Sequence, residues 1–255
     1  MWSQERHRLI VERLRAQRQL SADLLAQELA VSRETVRRDL VELEQAGLLR
    51  RVHGGAVLVE AQPEPPLAHR LQQRRAEKEA IARAAAALPR PGQSCFIDAG
   101  STTALLAAAL RPIPELTVIT NSLEVAQALR GRPGTALTRL VGGVLSAEMP
   151  GLCGEATMAE LARYHVDLAF VSPVGLDPRE GATNFMQAEA EIARLMLQRS
   201  RRPVLLADHA KLGRVSRLQI CGCSGVHTLV TDSQGGEMAE SFRQAGITEV
   251  LVAQG

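Results

Sequence analysis

"VSRETVRRDLVELEQAGLLRRVHGG", residues 31–55, decides how the first part of the chain folds. Val36, Leu40 and Leu43 recur at the spacing of one helical face, so a helix with a single apolar stripe is predicted from Ser32 to about Ala46. Ser32 can accept a hydrogen bond from the first free amides, and Gly47 is placed to end the helix. The arginines stand off the stripe. Neighbouring residues on a helix point about 100° apart, so Arg37 and Arg38 face different directions, and one can reach base edges while the other reaches a phosphate.

Residues 3–17 read as an amphipathic helix, with Leu9, Ile10 and Leu14 on one side. A short extended link follows, then a helix capped by Ser21 and running through Leu29, then a tight turn at Ala30 and Val31. Downstream, "LLRRV" and "AVLV" read as two strands joined through His53, Gly54 and Gly55. Helix, turn, helix and hairpin together make a winged helix-turn-helix. In that motif the second helix of the pair enters the major groove by its N-terminal part. Ser32, Arg33, Thr35, Arg37 and Arg38 occupy that part, and Arg50, Arg51, His53 and Gly54 form the wing beside the sugar-phosphate backbone. Arginine suits both tasks because its planar fork bonds guanine or phosphate with two donors. A helical hairpin with a solvated arginine face is the plainer alternative. Asp39 is out of place on a DNA face, and a pairing with Arg38 or a nearby arginine is expected.

The 255 residues, 45% hydrophobic, suffice for a sizeable core. The net charge of +2 excludes a polycation, and residues 1–57 carry ten arginines against eight acids, so any basic face is local. No apolar run approaches the roughly 18 residues of a membrane span. The charged start argues against a secretory leader, and four irregularly spaced cysteines fit a reducing cytoplasm. Only Lys78 and Lys211 are lysines, in a chain otherwise committed to arginine.

Residues 1–57 are thus expected to be the DNA-binding domain. Residues 58–75, with three prolines, read as a linker, and 76–255 as a second domain. There, strand-like runs alternate with helical ones: "SCFIDAG" then "STTALLAAAL", "ELTVIT" then "NSLEVAQALR", and so on to "ITEVLVA". That order predicts an α/β domain with a parallel sheet. In "FIDAGSTT", a strand ends at Asp98, and Gly100, Ser101, Thr102 and Thr103 open a helix. Free amides and hydroxyls at a helix start make an anion cradle, although N-capping explains the hydroxyls equally well. Asn121 and Ser122 repeat the geometry. Gly142 and Gly143, Asp177, and Lys211 of "DHAK" also follow strands, where ligands of parallel sheets sit. Such a set suits a phosphorylated sugar or polyol. His209 borders it.

The stretch "VSRETVRRDLVELEQAGLLRRVHGGA" resembles the DeoR-type helix-turn-helix, a family of bacterial regulators that are mostly repressors of sugar and related catabolic operons. Residues 76–232 resemble the DeoR C-terminal sensor domain through "FIDAGSTT", "VITNSLEVAQAL", "LVGGVLS", "EAEIARLM" and "LLADHAKLG". The resemblance implies a fold like ribose-5-phosphate isomerase and the coenzyme A transferases. It also implies an effector pocket lined by Asp98, Gly100, Ser101, Thr102, Asn121, Ser122, Asp177, Glu189 and Lys211. Ser101, Ala193, Pro173 and "DHAK" depart from the family pattern. The expected partners are double-stranded operator DNA, a phosphorylated sugar or polyol, and further copies of the chain; no cofactor, metal or membrane is expected. The alternative is a sugar-phosphate isomerase with a DNA-binding appendage, against which "PREGATNFMQ" offers no lysine to polarise a carbonyl. Cys221 and Cys223 read as structural thiols.

Overall fold

The structure, a computed structural model, describes residues 2–17, 19–45, 49–52, 54–58, 64–131, 137–146 and 149–254. Gly47 and His53, assigned above to a helix end and a wing tip, lie outside the described residues. The chain divides into two compact units, Met1–Gln62 and Pro63–Gly255.

The first unit holds helices α1 (Ser3–Gln17), α2 (Ala22–Glu28) and α3 (Arg33–Gln45), with strands β1 (Gln19–Ser21), β2 (Leu49–Val52) and β3 (Gly55–Leu58). Ser21 caps α2 by accepting from the Asp23 amide, and Ser32 caps α3 by accepting from the Thr35 amide. The predicted stripe of α3 is buried: Val36, Leu40 and Leu43 pack with Ile10, Leu14, Leu25 and Leu49. The extended link is itself a strand, because β1 pairs with β3 and makes a three-stranded antiparallel sheet in the order β1-β3-β2. That pairing explains Gly55, where a Cβ would stand 2.0 Å from the Leu20 carbonyl oxygen. Gly54, with φ of 81°, makes the left-handed turn between β3 and β2 that glycine takes without strain.

The second unit is built on a seven-stranded sheet. Its strands are β4 (Ser94–Ile97), β5 (Thr117–Thr120), β6 (Thr138–Leu140), β7 (Val166–Val171), β10 (Ser200–Leu206), β12 (Thr228–Thr231) and β13 (Glu249–Val252). They run in the order β13-β12-β10-β7-β4-β5-β6, and every pairing is parallel. All seven were predicted from the alternating pattern. Alternation along β4 fills two cores: Cys95 and Ile97 pack against α5 (Arg75–Ala86), α6 (Ser101–Ala109) and α7 (Leu123–Ala128). Phe96 faces the core that includes residues of α8 (Glu155–Leu161), α9 (Gln187–Gln198) and α10 (Ala239–Gln244). The chain begins the sheet at β4, builds outward to β6, then crosses to β7 on the other side of β4. The gap beyond the C-terminal ends of β4 and β7 is therefore a topological switch point, where α/β sheets bind ligands.

Two features differ from expectation. A second sheet of β8 (Gly175–Asp177), β9 (Gly181–Asn184) and β11 (Leu218–Cys221), antiparallel in the order β11-β9-β8, was not read from the sequence. Its strands are too short and glycine-rich to show a period. Residues 64–75 are not free linker. They carry α4 (Leu67–Arg70) and pack within the second unit through buried Arg70 and an Arg74–Asp208 ion pair of 2.9 Å. Proline-rich composition marks an extended segment but does not say whether its charges are paired.

Candidate functional site

In the first unit, α3 presents Ser32, Arg33, Arg37 and Arg38 to solvent, with Thr35 half-buried. Arg37 donates two bonds to Glu34 at 3.0 and 3.1 Å, and Arg38 lies 3.7 Å from the same carboxylate. These pairs are exposed, so they hold the guanidiniums weakly and leave them free to swap Glu34 for a phosphate. Hydrogen bonding from Arg37 holds the Glu34 carboxyl below its usual range. On the hairpin, Arg50 is exposed and Arg51 pairs with Glu44 at 2.6 Å. The wing is fixed by the Ala22 amide, which donates to the Gly54 carbonyl at 2.8 Å.

Asp39 does not pair with Arg38. It is buried and turns inward, accepting from the Arg6 guanidinium at 2.8 and 2.9 Å and lying 3.1 Å from His7 Nε2. The hydrogen bond from Arg6 raises that arginine's affinity for its proton. Along a helix Asp39 stands beside the apolar stripe rather than the arginine face, so it ties α3 to α1 and sets how the recognition helix is held.

In the second unit a cleft at the switch point is lined by Glu64, Arg70, Asp98, Ala99, Asn121, Met149, Gly151, Ser172, Asn184 and Glu189. It leaves room for roughly one water molecule. Asp98 follows β4 and accepts from the Ala99 amide at 2.8 Å. Burial, then the nearby Glu189, pushes its carboxyl up to about 8. Burial, then Glu64, pushes Glu189 up to about 7. Two carboxyls thus hold protons near neutrality and can each donate a hydrogen bond. Asn121 donates to the Leu152 carbonyl, while its buried Oδ1 and the buried Nε of Arg70 have no partner among the described residues. Unpaired polar atoms at one cleft mark a site for a polar ligand.

Lys211 is buried beside this cleft, its Nζ 2.7 Å from the Pro173 carbonyl, 3.4 Å from Ser172 Oγ and 3.2 Å from a Glu64 oxygen. The other Glu64 oxygen meets Arg70. Burial alone would raise the Glu64 carboxyl, but Lys211 and Arg70 outweigh it and hold it low. Sequence reading missed both Glu64 and Arg70, because they lie in the segment taken for a linker. The one hint was Lys78, whose Nζ donates to the Arg70 carbonyl at 2.5 Å.

The other predicted residues are placed as follows. Ser101, Thr102 and Thr103 are buried at the start of α6, behind Gly100; Thr103 donates to the Gly100 carbonyl, and the Thr102 hydroxyl has no partner among the described residues. Ser122 caps α7 through the Val125 amide. Gly142 donates its amide to Glu160, and a Cβ on Gly143 would strike Thr157 at 2.0 Å; neither glycine lines the cleft. Asp177 does not line the cleft. It ends β8 and accepts from the Arg179 and Glu180 amides, which fixes the β8–β9 turn. His209 is held by Asp232, donating its amide at 2.7 Å. Burial raises the Cys221 and Cys223 thiols to about 11, as for structural thiols. No helix among the described residues is long and apolar enough to cross a membrane.

A winged helix-turn-helix joined to an α/β unit with a polar cleft at its switch point defines the class of DNA-binding regulators that carry a sensor domain. The DeoR-like helix-turn-helix domain matches residues 6–62, and the DeoR C terminal sensor domain matches residues 73–233. The chain is 34% identical to the HTH-type transcriptional regulator GolR of Listeria innocua, over 97% of this chain and 98% of that one. It is 33% identical to the glycerol-3-phosphate regulon repressor of Escherichia coli, over 90% of each. The chain belongs to the DeoR family of DNA-binding transcriptional regulators. This membership decides for a regulator and against the isomerase alternative. Ribose 5-phosphate isomerase A of Methanocaldococcus jannaschii aligns at 18% identity over 53% of each chain, with a TM-score of 0.37.

Proposed function

We propose that this regulator is a cytoplasmic repressor of a sugar or polyol catabolic operon, released from its operator by a phosphorylated sugar or polyol. The observation that carries the effector class is the cleft itself. Arg70 and Lys211 supply positive charge, and Asp98, Glu189 and Asn121 supply groups for hydroxyls. The name of the Escherichia coli relative, a glycerol-3-phosphate regulon repressor, points to the same chemistry. Ser32, Arg33, Thr35, Arg37 and Arg38 meet the major groove, and Arg50, Arg51 and Gly54 the backbone, with His53 between them in sequence. A homo-oligomer places two such heads about one helical turn, or a multiple, apart. The effector acts by binding the operator-free arrangement more tightly than the operator-bound one.

Thermal-shift screening against phosphate esters of three- to six-carbon sugars and polyols tests this, since a ligand of the folded state raises its apparent stability. A stabilising ester whose effect vanishes in Lys211→Ala is expected. A panel without a hit would overturn the effector class.

A further inference from the structure

We infer that Glu64 is a built-in competitor for the effector: its carboxylate holds the two cations that an incoming phosphate needs, and the effector works by evicting it. The inference rests on the phosphate-ester reading above and adds how binding is transmitted. One Glu64 oxygen lies 3.2 Å from Lys211 Nζ and the other meets the Arg70 guanidinium. A phosphate would take those same two partners, since both bind anionic oxygens by charge-assisted bonds. With Glu64 in place, the cleft has no space for such a group. Something must leave, and Glu64 is the candidate. Its side chain is 21% exposed, against 9% for Lys211, so it sits at the mouth rather than the floor.

The position of Glu64 in the chain gives the eviction a consequence. It follows within two residues of Gln62, the last residue of the DNA-binding unit. Pro65 and Pro66 come next, and their fixed φ makes the connection to α4 stiff. A displaced Glu64 therefore moves the backbone that leads to the DNA-binding unit, rather than only a side chain. Farther along, the segment is tied down by Arg74 on Asp208 at 2.9 Å and by Lys78 on the Arg70 carbonyl. Arg74 itself takes a left-handed φ of 46°, which a non-glycine residue adopts only when its surroundings hold it. Residues 64–74 thus form a strap with a fixed end at Arg74 and a releasable end at Glu64.

The test uses the full chain, with inorganic phosphate and glycerol 3-phosphate as probes at matched ionic strength. Hydrogen exchange is followed at residues 64–74, and probe affinity by calorimetry, in wild type, Glu64→Gln and Lys211→Ala. The expected result has three parts. Either probe speeds exchange of 64–74 in wild type; Glu64→Gln exchanges fast without a probe; and Glu64→Gln binds the probes at least about tenfold tighter, or ~1.4 kcal/mol. If the probes bind, Lys211→Ala abolishes binding, and neither exchange nor the Glu64→Gln affinity changes, the competitor is refuted while the effector site stands. If Glu64→Gln, with both cations unpaired, binds neither probe, the anion site and the strap fall together.

Discussion

Asp39→Ala should melt the DNA-binding unit well below the rest of the chain, although Asp39 meets no DNA. The carboxylate is 3% exposed and takes two bonds from Arg6, whose side chain is only 13% exposed, with His7 against the same oxygen. Truncation takes from this guanidinium the carboxylate that accepts two of its bonds. Charge-assisted bonds contribute about 1.5–3 kcal/mol each, and breaking a buried pair costs about 3–5, so this less buried one should cost ~2–4 kcal/mol. At 0.05–0.15 kcal/mol per residue, a unit of this size has a stability of only about 3–9 kcal/mol. The variant therefore loses a large share of it, a fall of roughly 10–30 °C in the unit's midpoint. Calorimetry of the full chain should show an early transition split off from that of the second unit. Operator affinity should be normal in the cold and lost above that transition. Arg6→Leu combined with Asp39→Leu should recover most of the loss, because the guanidinium then goes together with its acceptor. A single variant within 0.5 kcal/mol of wild type, or additive effects in the pair, would refute Asp39 as the tie between α1 and α3.

Arg38→Ala should leave the fold intact and lower the slope of log affinity against log salt by about 1 if it meets a phosphate, or relax one base position if it meets guanine; titration on operator and scrambled duplexes separates the two. Lys211→Ala should abolish induction by the effector while operator affinity stays within threefold, as measured by gel shift with and without the ester. Gly55→Ala should destabilise the wing, because its Cβ would overlap the Leu20 carbonyl, and a thermal melt should show it. For pH, the raised carboxyls of Asp98 and Glu189 give stability that is full below the unfolded carboxyl pKa and is lost as pH rises through about 7 to 8. The midpoint should therefore fall from pH 6 to 8.5, at up to ~1.4 kcal/mol per pH unit per group, and Glu189→Gln should flatten the fall.

The sequence carried the frame further than the site. Seven parallel strands were legible because "SCFI", "TVIT" and their fellows are short apolar runs followed by helical periods, and burial on both faces requires such runs in the central strands. Helix α3 was legible because Val36, Leu40 and Leu43 recur on one face and leave the arginines on the outside. Asp177 stands away from the cleft for a specific reason: the chain continues past β7 into the β8–β9 hairpin, and its carboxylate accepts the Arg179 and Glu180 amides of that turn. Glu64 and Arg70 were invisible for a different one. A buried ion pair between a charged, proline-rich segment and a distant lysine has no period and no local spacing, so only the fold brings it together.

The two lysines show how far residue choice alone can point. Every other permanently cationic position is arginine, yet both lysines are buried in the second unit, Lys211 beside the cleft and Lys78 against the Arg70 carbonyl. A guanidinium carries five donors in a rigid plane, and a buried one leaves some unpaired, as Arg70 Nε already does. An ammonium is compact. Lys211 fits beneath the Pro173 carbonyl and still reaches Glu64, and Lys78 fits under Arg70 where burial lowers it to about 8. Arginine at either place would need more room and more acceptors than the cleft supplies. The preference for arginine elsewhere thus yields where geometry, and not charge alone, sets the choice.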